Sequence, residues 1–229
     1  MGRFSRATWR HDVAKKPNRR RQLIAGLGTT AAAMAVGTGT AAAQAPATSF
    51  QPARHAQDEW FARRPGKHRV VLDTTSAAGV ADAIRFANNL FNGSKSGYSV
   101  DETDMAIVIC LRHRATPHAY TDALWSKYGR VLDRRDEDGA ATGPVPTTNL
   151  YNTGERPQLS DMARRGVHFM VCGTASRGIA QRAAGPNGNA DAVFRELEAT
   201  LIPNAHIVSA GVVGVTHAQE YGYSYLYVG

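Results

Sequence analysis

Val167-His168-Phe169-Met170-Val171-Cys172-Gly173-Thr174 is the stretch that decides how the chain is read. It is a short apolar run, preceded by the helix-stop signal Arg164-Arg165-Gly166. Gly173-Thr174-Ala175-Ser176 follows, which suits a tight strand-to-helix turn with a hydroxyl cap. The run therefore reads as a buried strand that ends in a thiol. In an open parallel sheet, ligands and chemistry collect at the carboxyl ends of the strands. Cys172 is expected at such an end, facing the start of the next helix, where a thiolate can be stabilised. Two readings of it stand: a working thiol, or a small buried residue that fills space.

Outward from that strand the same alternation repeats. Arg69-Val70-Val71-Leu72-Asp73 is a first strand, with Thr74-Thr75-Ser76 as turn and cap. Val80, Ala83, Ile84, Ala87, Leu90 and Phe91 then recur at helical spacing, and Asn92-Gly93-Ser94-Lys95-Ser96-Gly97 is expected to stop that helix. Met105-Ala106-Ile107-Val108-Ile109-Cys110-Leu111 is apolar throughout, as in a strand covered on both faces. Arg112-His113-Arg114 lies at its carboxyl end, and Thr116-Pro117 opens a helix through Trp125 and Tyr128. Residues 129–157, rich in Gly, Pro and charge, form an excursion too long for an ordinary connection. A short helix over 159–165 leads into the central strand. After Cys172 comes a helix broken at Gly185-Pro186-Asn187-Gly188-Asn189, which resumes from Asp191 to Leu201. Residues 205–209 form a fourth strand, a helix from Gly211 to Tyr221 follows, and residues 223–228 form a fifth strand. Strand alternating with helix indicates an α/β fold with a mainly parallel sheet.

The first 43 residues stand apart. Asn18-Arg19-Arg20-Arg21-Gln22-Leu23-Ile24 and the Ala-, Gly- and Thr-rich run after it resemble a twin-arginine export signal. Ala41-Ala42-Ala43 is the preferred cleavage site and Ala43-Gln44-Ala45 the alternative, because proline just after a cut hinders the peptidase. An uncleaved membrane anchor is the other reading, poorly served by so much Gly and Thr. Cleavage leaves no stable membrane span and implies a periplasmic or otherwise exported protein. The leader carries eight Lys/Arg and one Asp, so it accounts for +7 of the chain's +8. The remainder is nearly neutral and has no electrostatic footprint for nucleic acid. Residues 44–67 are a polar arm whose Trp60 and Phe61 are expected to dock on the body or on a partner subunit. The domain proper spans 68–229, long enough for one well-cored unit. With Cys110 and Cys172 its only cysteines, it is no disulfide scaffold.

Several chemistries are absent from the pattern. Gly26-Leu27-Gly28 lies in the leader with no strand before it, and Gly173-Thr174-Ala175-Ser176-Arg177-Gly178 lacks the Lys-Ser/Thr of a phosphate loop, so no cofactor is implied. The histidines are scattered, without the spacing of a metal site, and no Gly-x-Ser-x-Gly elbow occurs. Arg112, His113, Arg114 and His118 form a candidate anion site for sulfite or thiosulfate. The duller reading pairs these cations with Asp133, Asp136 or Glu137 of the excursion. Tyr221, Tyr223, Tyr225 and Tyr227 alternate, which in a continuous strand puts them on one face, suited to an interface with wet edges, the alternatives being that Tyr221 is still helical and that two of the four pack in the core.

Taken together, four pieces carry a family resemblance. They are Gly166-Val167-His168-Phe169-Met170-Val171-Cys172, Leu201-Ile202-Pro203-Asn204-Ala205, Ser209-Ala210-Gly211-Val212 and Gln219-Glu220-Tyr221-Gly222-Tyr223. Residues 68–228 resemble the DsrE/DsrF-like family, most strongly in the last third. The resemblance implies a three-layer α/β/α domain with a five-stranded parallel sheet, usually a homo-oligomer, and for some relatives sulfur relay through a cysteine persulfide. Such a protein meets a sulfur-donor or acceptor protein, or a small sulfur anion. Cys172 matches the strand cysteine of the broader family, whereas the relay members carry their acceptor cysteine in a loop with no clear counterpart here. The excursion and the leader also depart from the cytoplasmic relay proteins. Two functions compete: sulfur handling or thiol redox at Cys172, with Cys110 a weaker candidate, and an oligomeric binding or assembly module whose cysteines pack. A Cys110–Cys172 disulfide is a further alternative if the two strands are neighbours on compatible faces.

Overall fold

A computed structural model describes residues 50–133, 143–152 and 158–229. The leader with Arg20 and Arg21, both cleavage sites, and Asp136 and Glu137 of the excursion lie outside those residues. The strands are β1 (His68–Thr74), β2 (Met105–Leu111), β3 (His168–Cys172), β4 (Ala205–Val208) and β5 (Ser224–Tyr227). The helices are α1 (Glu59–Ala62), α2 (Ala77–Tyr98), α3 (Asp122–Leu132), α4 (Leu159–Arg164), α5 (Gly173–Ala184), α6 (Ala190–Ala199) and α7 (Gly211–Glu220). All strand pairs are parallel, in the order β4-β3-β2-β1-β5. The architecture is α/β, a five-stranded parallel sheet between helical layers.

That order dictates how the layers fill. From β1 through β4 the chain steps in one direction, so right-handed crossovers put the connecting helices on the same face. Leu72, Ile107, Ile109, Leu111, Phe169 and Val171 form that face, packed on Val80, Ala83, Ile84 and Phe91 of α2 and on Leu159 and Met162 of α4. Then β4 returns across the whole sheet to β5 through α7 alone. The second face, Val71, Val108, Cys110, Met170 and Val208, is covered by Val215 and Ala218 of α7 and by Phe61 of α1. Phe61 is fully buried, so the arm supplies part of a layer. A third cluster joins α3, α5 and α6 through Leu124, Trp125, Ile179 and Leu197.

Four details differ from the expectation. The helix expected to stop at Asn92-Gly93 continues to Tyr98. Its end is set by Ser99 in the left-handed region, with the Val100 N–H donating to the Ser94 carbonyl and Val100 packed on the core. With the Ser99 N–H donating to the Lys95 carbonyl this is a left-handed C-cap, and the apolar residue that commonly follows such a cap is absent just after Gly93. Thr116-Pro117 does not open the next helix. A 3-10 run, His113–Ala119, contains Pro117, and α3 starts afresh after Thr121. Between them Tyr120 is extended and bridges to Leu201. The excursion begins later than residue 129, because α3 runs on to Leu132. The tyrosine stripe is split: Tyr223 is buried, its hydroxyl donating to the Phe61 carbonyl at 3.0 Å, whereas Tyr225 and Tyr227 are exposed.

Candidate functional site

Cys172 ends β3 and is the N-cap of α5. Its Sγ accepts the Ala175 N–H at 3.4 Å, the place a capping hydroxyl ordinarily fills. The Cys172 carbonyl accepts the Ser176 hydroxyl at 2.9 Å, and Ser176 in turn receives the Tyr120 hydroxyl at 2.6 Å. A Cβ on Gly173 would stand 2.5 Å from the Val208 carbonyl oxygen, so only glycine lets the chain turn this closely past β4. The Thr174 N–H then donates to the Ser209 carbonyl at 3.1 Å. The turn is thus pinned to β4 on one side and to Tyr120 on the other. Cys172 retains 8% of its surface.

Cys110 is a different thiol. It lies beside Asp73 and Met170 in the sheet register and has no exposed surface. Burial, and then the charge of Asp73, push its pKa well above the ordinary thiol value. It stays protonated and acts as core. Both cysteines are free. Their register also argues against a bridge. Cys110 pairs with Met170, so Cys172 is one strand across and two residues along. Strand spacing and rise put such Cα atoms about 8 Å apart, beyond the ~7 Å a disulfide tolerates.

Asp73 organises the edge beside them. Its carboxylate is almost fully buried and accepts Arg112 Nε at 2.7 Å and Nη2 at 2.9 Å, a two-pronged pair. The Tyr225 hydroxyl donates to the same carboxylate at 2.9 Å. Asp73 raises the pKa of Arg112 still further above the ordinary guanidinium value. Arg112 therefore pairs with an acid of β1. Leu111 and Val171 are register partners, so Arg112 and Cys172 occupy neighbouring positions along the sheet edge. Asp73 is not among the residues that the sequence singles out. Its signal was an acid closing an apolar strand, and its partner is 39 residues away, joined only by the β1–β2 register.

Of the four candidate anion-binding residues, Arg114 and His118 share a cleft, and Arg112 and His113 do not line it. His113 is exposed, with a backbone φ of 56°. Arg114 lines a narrow cleft with His118, Trp125 and Asp133. His118 is buried, its Nδ1 3.3 Å from Asn149 Oδ1 and its ring stacked on Trp125. Desolvation pulls its pKa down to about 4, so it is neutral near pH 7 and attracts no anion. Arg112 is already engaged. Among the described residues no group of three or more His, Cys, Asp or Glu could hold a metal ion. No helix among them is long and apolar enough to cross a membrane.

No family model matches the chain, and no curated protein matches it. What the site can do therefore rests on its own chemistry. It offers one buried thiol at a helix cap, in a residue that keeps 8% of its surface, a protonated thiol deeper in the core, and a fixed Asp–Arg–Tyr group along the same edge.

Proposed function

We propose that the chain is an exported DsrE-like protein that carries sulfur, or exchanges thiols, through Cys172. The observation that carries this reading is the position of Cys172 Sγ, which takes the N-cap of α5 and accepts the Ala175 N–H at 3.4 Å. The Ala175 N–H fixes the Sγ at the amino end of the helix, on the carboxyl edge of the sheet where chemistry collects. The separation from Cys110 directs the chemistry away from an internal disulfide and toward a single sulfur atom. With thiosulfate as donor, the Cys172 thiolate attacks the outer sulfur. A new S–S bond forms, the old one breaks, and sulfite leaves with the electron pair. The product is a Cys172 persulfide. Export is supported by Arg20-Arg21 before Leu23-Ile24, and the family reading by the strand motif ending in Cys172.

The test is mass spectrometry of the native protein after polysulfide or thiosulfate and then an alkylating agent, with Cys172→Ser as control. The expected result is a mass increase of one sulfur atom on Cys172, absent from the variant, with Cys110 unlabelled until the protein is unfolded. A Cys172 that gains no sulfur and alkylates only after denaturation would reject sulfur handling. A second reading, the oligomeric assembly module, is favoured by the open edge at β5, where Tyr225, Leu226 and Tyr227 are all exposed.

A further inference from the structure

At the opposite end of the sheet from Cys172, the amino-terminal arm is held by a chain of three nitrogen-bearing side chains. Arg64 Nη1 lies 2.8 Å from His168 Nε2, and His168 Nδ1 lies 2.8 Å from His206 Nε2. A guanidinium can only donate, so His168 Nε2 must accept. The His168 proton then sits on Nδ1 and is donated to His206, whose Nε2 must also be bare. One arginine thus sets the tautomer of two histidines on β3 and β4. Trp60 of α1 stacks on His206, ring centroids 4.2 Å apart and 11° from parallel, and reaches over His168 at 6.1 Å. Arg64 also donates to the Gly166 carbonyl just before β3.

We propose that Arg64, His168 and His206 form a proton-operated strap that holds the amino-terminal arm on the sheet near neutral pH and releases it in acid. Both imidazole nitrogens that would take a proton are already used as acceptors. A proton on His168 Nε2 points an N–H at the Arg64 N–H, and a proton on His206 Nε2 points one at His168 Nδ1–H. Either breaks the relay and places like charges side by side. Trp60 alone would tolerate a cation on its face, but the conflict lies in the ring planes, where stacking gives no relief. The groups acting on His168 are burial, Arg64 and His206, all opposing its protonation, and its pKa falls to about 4. Burial and Arg64 likewise lower that of His206. Around them, Arg69 donates to the carbonyls of Phe61, Arg64 and Tyr221, adding a second fixed positive charge beneath the arm. The Tyr223 hydroxyl holds the Phe61 carbonyl. Farther along the arm, His217 Nδ1 is 2.6 Å from Asp58 and stacks on His55. That ring faces a carboxylate and not a guanidinium, so it lies outside the Arg64 relay. Glu59 is taken up by Arg63 at the surface.

The sign follows directly. Histidines held neutral in the closed form bind fewer protons than histidines in the open form. Closure is complete above the ordinary histidine pKa, about 6.5, and is lost as pH falls toward the lowered value. Release uncovers the Phe61 seat on the second face of the sheet, including Tyr223 and Val71.

Hydrogen exchange by mass spectrometry on the full chain, corrected for intrinsic rates and run from pH 7.5 to 4, tests this. The arm, residues 56–64, is expected to lose protection between about pH 6.5 and 4 while β2 keeps it. In the double variant His168→Gln/His206→Gln, whose amides accept and donate without titrating, opening should move at least about one pH unit lower. Opening of arm and β2 together, or an unchanged midpoint in the double variant, would overturn the proposal. Should that variant fail to fold, NMR titration of the two rings in the unaltered protein decides. They are expected to take protons at the pH where the arm opens, and rings that stay neutral through its opening reject the strap.

Discussion

At the scale of single residues, burial decides what each titratable group can do. His118 shows it most cleanly: it is sealed among Trp125, Tyr151 and Asn149, and its pKa is drawn down to about 4. A histidine whose folded pKa lies below its unfolded value contributes stability that is present above about pH 6.5 and is lost as pH falls through the folded value. Between pH 7 and pH 5 this one residue is expected to cost about 2 kcal/mol. Urea unfolding of His118→Gln at the two pH values should show a smaller acid loss than the unaltered chain by about that amount, and equal losses would contradict the burial argument. Cys172 was legible as a strand-end thiol because a glycine follows a short apolar run, a purely local signal. The partner of Arg112 was not legible. Asp73 and the acids of the excursion are equally plausible in sequence, and only the pairing of Asp73 with Cys110 in register puts the carboxylate under the guanidinium. The split of the anion quartet has the same origin, since the 3-10 run turns His113 outward and His118 inward.

At the scale of elements, every strand and nearly every helix was readable from period and punctuation, and what failed was where helices end. Glycine is a weak stop when nothing beyond it can close the helix, and α2 runs through Gly93 and Gly97 to the Ser99–Val100 closure. The same residue type plays the opposite role at the thiol turn. A Cβ on Gly93 would meet nothing, whereas one on Gly173 would press into the Val208 and Ser209 carbonyls. Gly93→Ala is therefore expected to stabilise the protein by about 0.5–1 kcal/mol through helix propensity alone. Gly173→Ala is expected to destabilise it by about 1–3 kcal/mol, because backbone on the neighbouring strand must move. Chemical denaturation of the two single variants measures both. Like-signed effects would mean that the turn after Cys172 is looser than its contacts imply.

At the scale of the whole molecule, the strand order leaves two edges of unlike character. β4 is partly buried along its length, but all four residues of β5 are exposed. Among the described residues its outer backbone groups have no strand partner. Edge strands of this kind are ordinarily shortened, charged or covered. Ser224-Tyr225-Leu226-Tyr227 is short but carries no charge. On one face of it, Leu226 lines an open groove of about 420 Å³ with Phe86, Leu90 and Tyr98 of α2. On the other, Tyr225 and Tyr227 are tied by their hydroxyls to Asp73 and Thr75, so their rings are held in place before any partner arrives. A four-residue strand alone buries far less than the ~1,200–2,000 Å² of a stable interface. The groove and the tyrosine rings must therefore contribute if two copies pair edge to edge. Such a pair is self-complementary about a two-fold axis, with Leu226 near its centre. Light scattering of the chain, 24.6 kDa as a single copy, is expected to give the mass of two copies or more at micromolar concentration. Leu226→Asp, which sets like charges close together across that axis, is expected to weaken association at least about tenfold without altering the fold. A single-copy mass for the unaltered chain rejects the assembly reading. A variant that associates as before shows instead that the copies meet elsewhere, and that β5 is protected only by its shortness.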